Sequence, residues 1–489
     1  SLPTAADAEA TCRRVRCPVL VVHGDEDGIV PYATGVRLAA WLGAPLVTVR
    51  GGGHAPPLRE PVLANRLIRD AARAWSGRPV PAHTWTRGRR RPRRALYVSS
   101  PIGLGHVHRD LAIADALREL HPGLQIEWLT QQPVTRVLEE RGERVHPASA
   151  LLASESAHIE AECGEHDLHV FRAVRRMDEI LLANFMVFAD LVEEDHYDLW
   201  VADEGWDVDA FLHDNPELKR TAYAWLTDFT GWLPMPDGGA DEERLTADWN
   251  EERIERGRRY PRLRDRSVFV GSEEDVVDLP LGPGLPTARE WARERYAFAG
   301  YVLPAFPPVD REELRARLGY HPDERVVVVT VGGSGVGSPL LRQVAASFPL
   351  AEKRVPGLRM VLVTGPRIDP ASVPVPAGVE VHGYLPDLRA HLEACDLAVV
   401  QGGLSTTMEL TAARRPFVYL PLRHHFEQQI HVAHRLDRYR AGRRMDYAEA
   451  TDRERLAEVI AAEIGRPVDY RPVETDGAAR AARLLADLL

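Results

Sequence analysis

Leu397-Ala398-Val399-Val400 is an unbroken apolar run of strand length, and it breaks directly into Gln401-Gly402-Gly403 followed by Leu404-Ser405-Thr406-Thr407-Met408-Glu409-Leu410. An apolar run without alternation is the pattern of a strand covered on both faces, as in a parallel α/β sheet. Two glycines let the backbone turn sharply and come close to a ligand. A helix that starts there offers unpaired N–H groups and the positive end of its dipole. The strand–glycine–helix unit therefore predicts an anion site at a strand end, suited to a diphosphate held without a metal. Glu409 lies one to two turns into that helix, where a carboxylate can accept two hydrogen bonds from a ribose diol. The next segment, Pro421-Leu422-Arg423-His424-His425-Phe426-Glu427-Gln428-Gln429, brings one acid and two adjacent amides, suited to the hydroxyls of a sugar.

Together these stretches resemble the donor half of a GT-B glycosyltransferase, in particular the N-acetylglucosaminyltransferase family of peptidoglycan synthesis. That family carries a Gly-x-Leu-Thr-x-x-Glu segment ahead of a loop reading Pro-x-x-His…Gln-Gln. Gly403–Glu409 and Pro421–Gln429 match at the same spacing. The wider class opens the motif with His-Gly-Gly, where this chain has Gln401-Gly402-Gly403. The resemblance implies an α/β fold of two doubly wound, Rossmann-like domains facing across a cleft. It also implies donor contacts from Gln401, Gly402, Gly403, Leu404, Ser405, Thr406 and Glu409, and from Glu427, Gln428 and Gln429. Upstream, the β-branched strand Val326–Val331 runs into Gly332-Gly333-Ser334, the family's loop toward the donor phosphates and transferring sugar. Val379–Pro386 matches the segment whose backbone reads the nucleotide base, through Tyr384 or Leu385.

About 300 residues before the donor motif, Ala95–Ser99 reads as a strand, followed by Pro101-Ile102-Gly103-Leu104-Gly105-His106-Val107-His108-Arg109. A Gly-x-Gly turn is shared by many nucleotide-binding folds. Gly105-His106-Val107 is more specific, because it matches the Gly-His-Val that opens the acceptor domain of these transferases. The resemblance implies His106 as general base. His108, Asp203 and Asp228 are the alternatives on the acceptor side. Trp225, Phe229, Trp232 and Pro234-Met235-Pro236 suit either an apolar acceptor wall or ordinary packing. Asp207-Val208-Asp209 imitates a metal-binding Asp-x-Asp, but nothing else of that other transferase fold accompanies it, so no metal is expected.

Residues 16–76 carry a second signal. A buried strand, Pro18–Val22, leads into His23-Gly24-Asp25-Glu26-Asp27, and a later strand, Leu46–Val49, leads into Arg50-Gly51-Gly52-Gly53-His54. This resembles the last third of an α/β-hydrolase, where the triad acid and histidine follow successive strands. Asp27 and His54 take those positions. No Gly-x-Ser-x-Gly elbow precedes them, and without a nucleophile the pair cannot transfer an acyl group. An inactive remnant, or one completed by an upstream segment, is the expectation.

The chain has 489 residues, 45% hydrophobic and 27% charged, which predicts several soluble domains. Its formal charge of −11 argues against nucleic acid as a partner. Four scattered cysteines give neither a disulfide framework nor a zinc site. No apolar run has transmembrane length, and a cytoplasmic protein is expected. The expected organisation is a hydrolase-like segment (1–76), an Arg/Pro-rich linker (77–94), an acceptor domain (95–308), a donor domain (309–466) and a tail (467–489) whose last helix packs back on the acceptor domain. The linker run Arg87–Arg94 could touch anionic lipid. The expected activity is inverting, metal-independent and free of resident cofactor: a hexose, N-acetylglucosamine foremost, moves from a UDP-type donor to a small-molecule or lipid-linked hydroxyl. Alternatives are a GT-B nucleotide-sugar 2-epimerase and a hydrolase with a sugar-nucleotide sensor.

Overall fold

The computed structural model describes residues 5–77, 91–304, 310–333, 335–385 and 387–489. Ser334 and Arg87–Arg90 therefore lie outside the described residues. The chain divides into two compact units, the first formed mainly by residues 1–89.

In that first unit β1 (Val21–Gly24) pairs in parallel with β2 (Leu46–Val49), with Val21 opposite Leu46. Helix α1 (Tyr32–Leu42) connects them and stops at Gly43 in the left-handed conformation, and α2 (Pro61–Trp75) starts with proline in its first turn. Only a few apolar side chains are buried here, Val21, Ala39, Val49, Val62 and Ala64 among them, while Ile29, Leu58 and Ile68 are exposed. A two-stranded sheet cannot cover more than that.

The second unit holds two all-parallel sheets. The first orders its seven strands β5-β4-β3-β6-β7-β8-β9, with β3 (Arg94–Ser99), β4 (Gln125–Leu129), β5 (Arg144–Val145), β6 (Leu199–Asp203), β7 (Ala222–Thr227), β8 (Arg266–Phe269) and β9 (Ala297–Phe298). The second orders six strands β12-β11-β10-β13-β14-β15, with β10 (Arg325–Thr330), β11 (Leu358–Val363), β12 (Val379–His382), β13 (Leu397–Val400), β14 (Phe417–Tyr419) and β15 (Arg443–Arg444). Both are Rossmann-like, and together they form the GT-B architecture. Strand order reverses between β3 and β6 in one sheet and between β10 and β13 in the other. In open α/β sheets the carboxyl ends beside such a reversal form the ligand crevice. The four segments that leave those ends are 100–106, 204–206, 331–333 and 401–403.

Local sequence explains the main elements. β6 and β13 are buried along their whole length, as unbroken apolar strands require. Helix α3 (Leu104–Leu120) follows β3, α4 (Trp206–Asp214) follows β6, α5 (Ser338–Arg354) follows the β10 loop and α6 (Leu404–Ala412) follows β13. Gly402 carries φ +101°, a conformation that costs a residue with a Cβ but not glycine. The terminal helix α8 (Gly477–Ala486), which comes after α7 (Ala433–Tyr439), packs against α3 and β8.

Two local details bear on the site. Residues 170–194 form two helices, Val170–Arg175 and Asp178–Glu194, and the break between them places Met177 in the cavity wall described below. The strand β7 runs from Ala222 to Thr227 and ends at the cleft. The end of the basic run is not a solvated linker. Arg91 makes a bidentate pair with Asp198 at 2.7 and 2.9 Å, and Arg94 opens β3 with its guanidinium on Glu127. Those two charges are committed to the fold rather than free for lipid. No helix among the described residues is long and apolar enough to cross a membrane.

Candidate active site

A cavity of about 1330 Å³, counting its open mouth, lies where the two switch points face each other. Ile102–His106, Arg109, Glu204, Trp206, Asp228, Phe229 and Trp232 line it from the first sheet; Thr330–Gly333, Gln401, Gly403–Thr406 and His425–Gln428 line it from the second. The two sides come very close at Gly105. A Cβ there would lie 2.1 Å from Ser405 Oγ, so only glycine lets the acceptor-side turn meet the start of α6.

His106 sits in the first turn of α3 with its side chain 17% exposed. Its Nδ1 is 3.0 Å from Asp203 Oδ2 and 2.9 Å from Arg109 Nη2. A guanidinium nitrogen only donates, and Nη2 carries two protons, one of them on Asp203 Oδ1 at 2.5 Å. In the tautomer with its proton on Nδ1, the imidazole donates to Asp203 and Nε2 keeps its lone pair. Burial and the Arg109 charge press the His106 pKa down, but Asp203 overrides both and holds it above the ordinary histidine value. Asp203 is fully buried, and despite that burial Arg109 and His106 keep its carboxyl well below the usual range. It can orient the imidazole but cannot reach an acceptor itself.

Arg109 is the hub. Its Nε donates to Asp203 Oδ2 at 2.8 Å and its Nη1 to Asp228 Oδ2 at 2.5 Å. Burial, then the charge of Asp228, pushes Glu204 up to about 8, and the same causes push Glu427 up to about 8. Both are therefore largely protonated at neutral pH, and Glu204 Oε1 accepts from the Thr227 hydroxyl at 2.9 Å. Glu155 is likewise raised to about 8, by burial and Asp207. His425, depressed to about 3 by burial, stays neutral.

The donor side offers the start of α6 and two buried oxygens at the strand ends. Thr330 Oγ1 and Gln401 Oε1 have no hydrogen-bond partner among the described residues, a pattern that marks a site completed by a ligand. The Gln428 side chain accepts from Leu422 N at 2.9 Å, which ties it to the loop while it lines the cavity. Glu427–Val432 is a π-helical turn, a feature that often re-aims side chains at functional sites. An aromatic wall closes the other end. Trp206 and Phe229 lie 5.5 Å apart, Phe229 and Trp232 5.7 Å, and Trp232 and Phe426 4.8 Å.

Several sequence candidates stand elsewhere. Gln429 spends its amide on Leu422 O at 2.8 Å and on Arg444, and it does not line the cavity. Trp225 is wholly buried core, edge-on to Trp206 at 5.0 Å. His108 faces Arg141 and Arg389; burial and those charges lower its pKa. Gly402 shapes the turn without lining the cavity. Glu409, Tyr384 and Leu385 do not line the cavity; Glu409 faces Arg389 and Glu393 of the helix Leu388–Ala394, and the Arg136 guanidinium lies 5.0 Å from the Tyr384 ring. Burial lifts Glu409 to about 7 against the opposing charge of Arg389. Asp209 is bound by Arg264 Nε at 2.7 Å, so the Asp-x-Asp is a structural ion pair. Sequence reasoning missed Arg109, although its i+3 spacing from His106 puts both on one helix face. It also passed over Glu204 and Glu155; the first is adjacent to Asp203, and nothing in the sequence marks the second.

In the N-terminal unit, His54 Nδ1 lies 3.0 Å from Asp27 Oδ2, and Asp27 also accepts from Ile29 N and Val30 N at 2.8 Å each. The backbone bond from Val30 leads the causes that hold Asp27 down at about 2. His54 is 46% exposed. The acid–histidine pair is thus assembled.

Comparison with known proteins fits this division. Residues 326–485 match the glycosyltransferase family 28 C-terminal domain, and residues 2–64 match the TAP-like protein family of α/β-hydrolases. An uncharacterized glycosyltransferase of Methanopyrus kandleri is 29% identical over 235 residues, 47% of this chain and 63% of that protein. The UDP-N-acetylglucosamine–N-acetylmuramyl-(pentapeptide) pyrophosphoryl-undecaprenol N-acetylglucosamine transferase of Mycolicibacterium vanbaalenii is 27% identical over 335 residues, 65% of this chain and 69% of that protein. The first match therefore spans less than two thirds of its relative. Among solved structures, the kitacinnamycin glycotransferase aligns with a TM-score of 0.48 at 19% identity, over 81% of this chain and 94% of that one.

Proposed function

We propose that this chain, a GT-B-fold protein related to the UDP-N-acetylglucosamine transferases and carrying a small α/β-hydrolase-like segment, moves a sugar from a nucleotide diphosphate to a hydroxyl with inversion and without metal. One observation carries the reading. An imidazole in contact with a buried carboxylate shares a cavity with the start of a glycine-led helix. His106 Nε2 removes the acceptor proton as the hydroxyl attacks the anomeric carbon. The N–H groups of Gly403–Ser405, the Gly332-Gly333 turn and the hydroxyls of Ser405 and Thr406 take up the charge that develops on the leaving diphosphate. Glu427 and Gln428 hold the sugar. The aromatic wall of Trp206, Phe229, Trp232 and Phe426 supports an acceptor with an apolar body, small-molecule or lipid-linked. UDP-N-acetylglucosamine or another UDP-hexose is the expected donor.

Calorimetric titration with UDP-, GDP- and TDP-sugars, each with and without EDTA, tests the donor half; the UDP-sugar should bind equally in both buffers. Strict dependence on magnesium would overturn the metal-free mechanism. Product analysis with radiolabelled donor should show a new glycoside, whereas a C2 epimer or unchanged sugar would point to a different reaction.

Glu409, which stands beside the cavity rather than in its lining, is assigned to a donor ribose that would extend past the diphosphate toward it. A carboxylate that accepts both hydroxyls makes charge-assisted bonds of about 1.5–3 kcal/mol. Glu409→Ala should then weaken UDP binding by about tenfold or more, since ~1.4 kcal/mol is one decade. Its pKa near 7 adds a signature. The accepting form grows as pH rises through that value, so UDP affinity should climb from acid to neutral pH in wild type and stay flat in Glu409→Gln. An unchanged affinity in the alanine variant removes Glu409 from the site.

A further inference from the structure

A second, smaller pocket, about 360 Å³ counting its open mouth, is walled by His213, Arg253, Tyr260, Arg264, Arg295 and Tyr296. Its charges do not balance. Arg264 is matched by Asp209, through Nε at 2.7 Å and a second, shorter contact. Arg295 has no carboxylate partner among the described residues; it donates to Gly257 O at 3.0 Å and lies 5.7 Å from the Trp291 ring. Arg253 is more exceptional. Its Nη1 is buried with no hydrogen-bond partner, and its guanidinium sits 4.7 Å from the Trp206 ring. The carboxyls that act on it, Asp209 and Glu204, are already engaged by Arg264 and by the Thr227 hydroxyl at 2.9 Å.

A guanidinium N–H buried without an acceptor is costly, and arginine meets tetrahedral oxyanions with a planar fork of donors. We propose that this pocket is a binding site for a phosphate-class oxyanion, held by Arg253 and Arg295. Tyr296 completes it. Its oxygen accepts from Arg264 Nη1 at 3.2 Å, which leaves the hydroxyl proton for the anion. The His213 Nδ1 donates to Asp209 O at 2.8 Å, and burial lowers the pKa of the ring, so it lines the pocket as a neutral imidazole.

The site is wired to the cleft through one ring. Trp206 lines the main cavity and packs on Phe229 and Trp232 at 5.5 and 5.9 Å. An anion that draws the Arg253 guanidinium to itself takes the cation off the indole face and changes how that wall is held. Affinity at the two sites is then coupled in both directions. This second half rests on the reading of the main cavity as the acceptor site; anion binding does not.

The test is titration of the full chain, saturated with UDP to fill the donor site, with inorganic phosphate and separately with glycerol phosphate, at fixed ionic strength. Heat and tryptophan fluorescence should follow one saturable isotherm. Arg253→Gln and Arg295→Gln should each weaken it tenfold or more, Arg253→Lys should weaken it less, and Ser405→Ala should leave it unchanged. Tighter binding of glycerol phosphate than of phosphate would identify a phosphomonoester as the source, and the reverse order the free ion. Thermal unfolding of each variant separates lost binding from lost fold. The proposal is overturned if no saturable binding occurs, or if it survives Arg295→Gln in a protein that melts like wild type. Binding that is lost in Arg253→Gln but leaves transfer kinetics independent of phosphate would sink the coupling alone.

Discussion

His106→Ala is expected to lower kcat by about 10²–10⁴-fold, the usual contribution of general-base catalysis, while donor affinity stays near wild type. The asymmetry follows from where the groups lie. His106 projects from the first sheet, whereas the proposed diphosphate contacts, Gly403–Thr406, line the cavity from the second. The structure also narrows the rivals. Glu204 and Glu427, near 8, are protonated at neutral pH and have no lone pair of sufficient basicity to offer. Asp203 is wholly buried and bound to both His106 and Arg109. Asp228 remains, but it is held by Arg109 at 2.5 Å, and moving it would break that contact.

A pH profile provides an independent check. His106 must be neutral to act, and its pKa is raised above the ordinary ~6.5. The acid limb of kcat should therefore rise through an apparent pKa above that value. Asp203→Asn removes the group that raises it and leaves burial and Arg109, which both lower it. The limb should shift to lower pH and the maximal rate should fall, since the imidazole loses the acceptor that fixes its tautomer. Full activity in His106→Ala, with loss in Asp228→Asn instead, would transfer the role to the carboxylate.

How much of this was legible in the sequence depended on the range of the interaction. The β13–α6 unit could be read directly, because an apolar strand, two glycines and a helix start are consecutive residues with local consequences. The same holds for Gly105-His106-Val107 and for the Asp27 and His54 positions. The roles of Asp203 and Glu204 could not be read that way. They lie nearly 100 residues from His106 and Arg109, and only the adjacency of β3 and β6 brings them together. Whether Asp203 is a base or an orienting group depends on burial, which an alternating or apolar pattern does not report for a strand-end residue. Gln428 and Gln429 show the finer limit. They are neighbours with the same side chain, yet the π-helical turn sends one into the cavity wall and the other to Leu422 O and Arg444. Arg91 and Arg94 read as linker because composition cannot see Asp198 and Glu127, their partners 107 and 33 residues further along the chain.

The second large effect is on stability. Arg109→Met should destabilise the second unit by about 3–5 kcal/mol at neutral pH, the range for removing one partner of a buried ion pair. Methionine keeps much of the volume, so the loss is electrostatic rather than a cavity. Arg109 faces both Asp203, which also contacts His106, and Asp228, with Asp110 close behind. Asp110 is itself pushed well above the usual carboxyl range, by burial and by the charge of Asp203, and takes hydrogen bonds from Tyr97 at 2.9 Å and Ser99 at 2.6 Å. Without the guanidinium, two or more carboxylates share a dry pocket and must either repel or take up protons. The sign with pH follows. In wild type the folded Asp203 pKa is depressed, so its contribution is present above the unfolded value of ~3.9 and is lost only as pH falls through the folded one. In the variant that pKa rises, so the deficit should be greatest at neutral pH and shrink as the solution is acidified toward ~4. Urea denaturation of both proteins across that range measures it. A double-mutant cycle with Asp203→Asn then isolates the pair, and the double variant should recover part of the loss, because the amide no longer needs a cation. If Arg109→Met unfolds at the wild-type urea midpoint at neutral pH, the carboxylates are reaching solvent and the cluster is not the buried charge network on which the orientation of His106 depends.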